Sequence, residues 1–152
     1  MKVLKVCIIC FLVLIVLYGI STYFAPGSYP YREAYVLNVS ESTLIEAIQD
    51  FKKNNPQYIV PEQTQLTDGR NNEKFLDHWY HIYFYYEDEN RIVYCWTRPA
   101  EEGKTTFALI GINQGLELGN WKDINKDYNR SENKKEKKKF EERILNKIKE
   151  KL

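Results

Sequence analysis

The chain has 152 residues, 43% of them hydrophobic and 28% charged, with a formal net charge of +1. That composition excludes a wholly disordered, collagenous or polytopic membrane protein, and the near-zero total excludes a strongly basic or acidic chain. The total conceals an uneven distribution, because residues 1–27 carry +2, residues 28–121 carry −6 and residues 122–152 carry +5.

Behind Lys2 and Lys5, residues 6–25 form an apolar run. Roughly 20 apolar residues suffice to span a bilayer, and the strict core, Val6 to Ile20, also suits a signal peptide. Cleavage after Ser21, with Gly19 and Ser21 as the small residues at positions −3 and −1, is one outcome, and retention as an anchor is the other. The lysines precede the run and only Arg32 follows it before Leu44, so the positive-inside rule places the rest of the chain outside the cytoplasm. Cys7 and Cys10 sit among aliphatic neighbours as small hydrophobes. Val6 and Ile9 precede them where lipid attachment needs a small residue. Cys95 is then the single cysteine of the exported body, and an exported domain without a disulfide points to a bacterial inner membrane and periplasm.

The body begins with a strand over 32–39, where Tyr35, Val36 and Val39 are apolar. Ser40 or Ser42 caps a helix whose Leu44, Ile45, Ile48 and Phe51 recur at helical spacing, and Asn54-Asn55-Pro56 stops it. A second strand is predicted over Gln57 to Leu66, followed by turn chemistry over 67–72. Residues 75–98 form the strongest signal, two aromatic and β-branched runs flanking Glu87-Asp88-Glu89-Asn90. A two-residue or a four-residue loop gives one register, in which paired residue numbers sum to 177. One face then gathers Trp79, His81, Tyr83, Tyr85, Ile92, Tyr94 and Trp96, and the other gathers Tyr80, Ile82, Phe84, Val93, Cys95 and Thr97. A further strand over 105–113 precedes a glycine-containing loop. Ser131 caps a closing helix with Phe140, Ile144, Ile148 and Leu152 at every fourth position. The predicted fold is α+β: an N-terminal membrane-spanning or signal helix, then a β-α-β-β-β-β-α domain with an antiparallel sheet. Its parts are 1–27 as signal anchor or signal peptide, 28–130 as the sheet domain, and 131–152 as a Lys/Glu-rich amphipathic helix packed on or extending from it.

Candidate chemistry is sparse. His78 and His81 form H-x-x-H, but on a strand an odd separation sends the two imidazoles to opposite faces. Asp77 and His81 share a face at about 13 Å, too far for a base and its orienting carboxylate. Asp123-Ile124-Asn125-Lys126-Asp127 copies the first ligand positions of a calcium loop, yet Tyr128 stands where the turn needs glycine and Lys134 where a bidentate glutamate is needed. Gly111, Gly115 and Gly119 lack a following lysine and hydroxyl residue, so no phosphate loop forms. No serine lies in a nucleophile-elbow context, and no catalytic residue, metal or cofactor is assigned. Lys134, Lys135 and Lys137 to Lys139 form a basic tail, suited to weak contact with anionic lipid; export removes nucleic acid as a partner.

The remaining feature is the aromatic face, for which Trp79, His81, Tyr83, Tyr85, Tyr94 and Trp96 form the expected partner or ligand surface. Large rings with polar tips supply interface energy at low entropic cost, unless the closing helix or the loop around Trp121 covers them. The expectation is a non-enzymatic, membrane-tethered extracytoplasmic module, inserted through residues 6–25, that binds another protein as an envelope accessory, inhibitor or immunity-type factor. The alternative is a small enzyme or ligand-binding domain with a pocket near His81, Tyr83, Tyr94 and Arg98.

Overall fold

The computed structural model describes residues 10–18, 29–71 and 78–152. The chain divides into two compact units, Met1–Pro30 and Tyr31–Leu152. In the first, residues 10–18 are helical, with every side chain from Phe11 to Tyr18 exposed. Among the described residues no helix is long and apolar enough to cross a membrane. The rest of the apolar run, with Lys2, Lys5 and Cys7, lies outside them.

The second unit is α+β with an antiparallel sheet. Strand β1 spans Glu33–Leu37 and helix α1 spans Glu41–Asn54. Ser40 caps α1 by accepting from the Thr43 amide at 3.2 Å. Glu41 in the first turn and Lys52 and Lys53 in the last complement the helix dipole. Strands β2 (Tyr80–Tyr86) and β3 (Arg91–Pro99) form the expected hairpin, with Tyr80 on Thr97 and Tyr86 on Arg91. Asn90, in the left-handed region at φ 49°, closes its turn. Strands β4 (Thr105–Gln114) and β5 (Trp121–Asp123) follow, and the sheet order is β1-β4-β3-β2 with β5 beside β4. Between Tyr94–Gly111 and Cys95–Leu109 the ladder slips by a residue, leaving Ile110 bulged. Only glycine fits at 111, since a Cβ there would stand 2.8 Å from the Lys122 carbonyl oxygen of β5.

Three sequence expectations change. Residues 57–66 form no strand; Pro56–Tyr58 and Glu62–Thr64 are single 3₁₀ turns. Pro56 and Pro61 each open or cap a turn and lack the amide a ladder requires. The strand count is restored by β5, in the stretch taken for loop. The closing helix starts one residue before Ser131, because Asn129 is its cap: the Asn129 side chain accepts from the Ser131 and Glu132 amides at 3.0 Å, and Glu132 reaches back to the Asn129 amide.

That closing helix is α2 (Arg130–Phe140), a π turn (Glu141–Leu145) and α3 (Asn146–Lys149). Glu136, Phe140, Ile144 and Ile148 are all buried at intervals of four. A plain α-helix advances about 100° per residue, so this interval would drift about 40° at each step. The π turn, closed i→i+5, holds more residues per turn and cancels the drift. Leu152 lies past the helix end and is exposed.

Both helices pack on one side of the sheet. Leu44, Ile48 and Phe51 of α1 join Phe140, Ile144, Leu145 and Ile148 over Ile82, Phe84, Val93, Cys95, Phe107, Leu109 and Ile112. Ring contacts mark the two seams: Phe51 meets Phe84 edge-on at 6.2 Å and Phe140 meets Phe107 at 5.5 Å. An ionic cluster closes the hairpin end. Arg143 grips Asp88 with two bonds of 2.9 and 2.8 Å, and Lys139 holds Glu89 at 2.6 Å. Arg91 bridges Glu89 at 2.7 Å to Glu136 at 3.0 Å.

Candidate functional site

The face away from the helices carries the expected rings. Alternation along β2 and β3 sends His81, Tyr83 and Tyr85 to the same side as Ile92, Tyr94 and Trp96. Tyr94 is their centre. Tyr83 stacks on it at 5.1 Å with planes 17° apart, His81 stacks at 5.7 Å, and Trp121 meets it edge to face at 5.9 Å. His81 Nδ1 and the Tyr94 hydroxyl are 2.7 Å apart, so the ring row is also hydrogen-bonded. Tyr85 donates to Asn90 Oδ1 at 2.9 Å, tying the row to the hairpin turn.

Trp79 and Trp96 form a second group, 6.2 Å apart, with the Arg32 guanidinium 5.8 Å from the Trp96 ring. Trp79 lies just before β2 rather than in it. Trp96 is only 2% exposed and Ile92 is fully buried, so they form the layer beneath the surface, whereas Trp79, His81, Tyr83, Tyr85 and Tyr94 are half-buried and present their edges. Among the described residues the two helices pack on the opposite face, and Trp121 meets Tyr94 edge to face. Trp121 and Arg32 belong to the surface although the sequence reading left them out of it. Trp121 stands alone in a polar loop, and its partner is defined by β5 pairing with β4. Asn113, fully buried beside it, shapes the preceding loop: its amide donates to the Gly115 and Glu117 carbonyls at 2.9 Å and its oxygen accepts from the Asn120 amide at 2.9 Å.

The other candidates take structural places. His78 lies outside β2, exposed against Trp79. Asp77 lies outside the described residues. In the calcium-like turn Lys126 reaches Asp123 at 3.3 Å and Asp127 at 4.0 Å, so an ammonium stands between the two carboxylates. Asn125 ties the N-terminal strand to the closing helix, donating to the Tyr31 and Arg32 carbonyls at 3.1 and 3.3 Å and accepting from Asn133 at 2.6 Å. Among the described residues no group of three or more histidine, cysteine or acidic side chains is placed to hold a metal ion. Burial pushes the Cys95 thiol well above its ordinary range, which leaves it unreactive. The basic tail is partly spent internally, with Lys137 on Glu33 at 3.1 Å and Lys139 on Glu89, while Lys134 and Lys135 face solvent.

Cavities also lie elsewhere among the described residues. A shallow groove of about 670 Å³ runs between Phe51 and Asn55 of the α1 end and Glu142, Asn146 and Glu150. A cleft of about 380 Å³ opens among Tyr58, Tyr85, Tyr86, Glu87 and Asp88. Rings and carboxylates suit a cation, and the chain supplies its own: the Arg143 guanidinium lies 4.9 Å from the Tyr86 ring while it grips Asp88. Searches against protein-family models, curated proteins and solved structures find no match to the chain.

Proposed function

We propose that the chain is a non-enzymatic, membrane-tethered extracytoplasmic module whose ring-bearing sheet face captures another protein. The observation that supports the binding part is the stacked row His81, Tyr94 and Tyr83 with Trp121 beside it, polar-tipped rings oriented by one another on a two-helix scaffold. Rigid rings lose little freedom on docking, which favours them as interface anchors. The tether rests on the apolar run behind Lys2 and Lys5 and on the all-round apolar helix at 10–18, whose exposed side chains suit lipid.

Affinity capture of the full chain from crosslinked membranes tests both parts. Tyr83→Ala with Tyr94→Ala is expected to lower partner recovery about tenfold or more while the membrane fraction still holds the protein. Unchanged recovery refutes the assigned surface, and loss of the protein from the membrane fraction refutes the tether. Trp96 is unsuitable as the probe because its ring is buried and its truncation would test folding.

A further inference from the structure

The sheet is bounded by β2 on one side and by β1 and β5 on the other, and the chain finishes β2 and β1 differently. Along β2 the outward backbone groups of His81 and Tyr83 are taken. Gly69 exchanges two bonds with His81, at 3.0 and 2.8 Å. The Tyr83 amide donates to Asp68 Oδ1 at 3.0 Å, and the Lys52 ammonium donates to the Tyr83 carbonyl at 2.7 Å while pairing with Asp68 at 2.5 Å. Along β1, alternate residues turn both backbone groups away from β4. Among the described residues nothing bonds to Glu33–Leu37 on that outer side. Nor do side chains blunt this edge: Val36 is 60% exposed, Ala34 is exposed, and the charge of Glu33 is turned to Lys137. An open, apolar edge of this kind is a template for an added strand.

The closing helix sets the chemistry such a strand would meet. Lys137 reaches Glu33 at 3.1 Å and Glu141 accepts from the Tyr35 hydroxyl at 3.0 Å, so this flank of the helix borders β1. Lys134 precedes Lys137 by three residues and Lys138 precedes Glu141 by three, which puts both lysines on the same flank, farther out. Both are exposed; Lys134 has no acidic partner among the described residues, and Lys138 meets only the exposed Glu142 at 3.5 Å. A strand laid on β1 therefore turns alternate side chains toward two lysines, and the intervening ones toward Ala34 and Val36.

We propose that β1 receives an extended segment of another protein in which acidic residues alternate with small or β-branched apolar ones. This edge is separate from the ring face, and the proposal stands whether or not the rings bind a partner. A second copy of the chain fits less well. Pairing β1 with itself about Tyr35 would turn Tyr35 and Leu37 toward the lysines, and the single acid, Glu33, already has Lys137.

The test uses the full chain in detergent micelles and two short synthetic peptides, one alternating valine with glutamate and the other valine with lysine. Residue-resolved hydrogen exchange is expected to slow in β1 about tenfold or more with the glutamate peptide, and to stay unchanged in β2. Lys134→Glu with Lys138→Glu should weaken that peptide about tenfold and reverse the preference between the two. Val36→Lys, at a side chain that is 60% exposed, should weaken it while leaving the exchange of the core amides unchanged. Equal binding of the two peptides, protection on β2, or no protection at millimolar peptide overturns the proposal. So does a concentration-dependent dimer in sedimentation that protects β1 without peptide.

Discussion

The two faces of the sheet are made by the same strands, one residue out of phase, and they are finished by different means. Toward the helices, Ile82, Phe84, Val93, Cys95, Phe107 and Leu109 are fully buried, and two amphipathic helices supply the opposing layer. Away from them, the side chains are as large and as numerous, but they cover one another: Tyr94 is flanked by Tyr83 and His81, and Trp96 lies beneath Trp79. The first face stabilises by removing apolar area from water, the second by stacking rings on one another and bonding their polar tips. Under the proposed function, stability and recognition fall on opposite sides of one hairpin.

Truncations that follow this division should differ most in what they cost the fold. Phe140→Ala empties a position fully enclosed between Tyr35 and Phe107, and is expected to lower unfolding free energy by about 3–5 kcal/mol in urea titrations. A loss below about 1 kcal/mol would show that the helix side is not the principal core.

The acid response should be intermediate. A side-chain bond from Arg143 holds the Asp88 carboxyl below its ordinary value of 3.8. Burial works against the Glu89 carboxylate, but bonds from Lys139 and Arg91 prevail and hold it below 4.5. Both folded values are depressed, so their stabilisation is fully present above the ordinary carboxylate range. It is lost as pH falls through that range toward the folded values, because the unfolded chain takes up protons first. The urea midpoint of the wild type should therefore fall below about pH 4.5, and Arg143→Ala, lacking the Asp88 partner, should show a shallower fall. Equal slopes would mean that the hairpin tip is not clamped to the helix in solution.

Tyr83→Ala should cost least, about 1 kcal/mol or less, as expected for one member of a cross-strand pair on a half-covered face. A cost equal to that of Phe140→Ala would make the ring face a second core and would erase the distinction between the two sides.

Much of this arrangement was legible in the residues. The hairpin register follows from alternation and loop parity, and it holds at every pair from Tyr80–Thr97 to Tyr86–Arg91. The α1 stripe and the stop at Pro56 follow from spacing and from the missing proline amide. Other elements had no local signal or a misleading one. Residues 57–66 carry the apolar content of a strand, and Pro61, which lacks the amide a ladder needs, interrupts it. Strand β5 is three residues long, below the length at which alternation can register, and exists because β4 offers it an edge. Which face the closing helix would cover was not written in either hairpin strand, since both faces are apolar. It is decided by the partners of that helix: Phe107, Tyr35 and the acidic hairpin tip all lie on one side.

The π turn makes the closing helix tolerant of editing at one place only. The segment Glu141–Leu145 holds one residue more than an α-helical turn would need, so a chain shortened by one residue at the exposed Glu142 can relax to plain α-helix with Phe140 and Ile148 both still seated. The same deletion at Lys135 would swing everything before it or everything after it by about 100°, unseating either the Asn129 end or the whole row from Glu136 onward. Length variation in this helix should accordingly gather at 141–145, a seam where the chain can gain or lose a residue without choosing between its two ends.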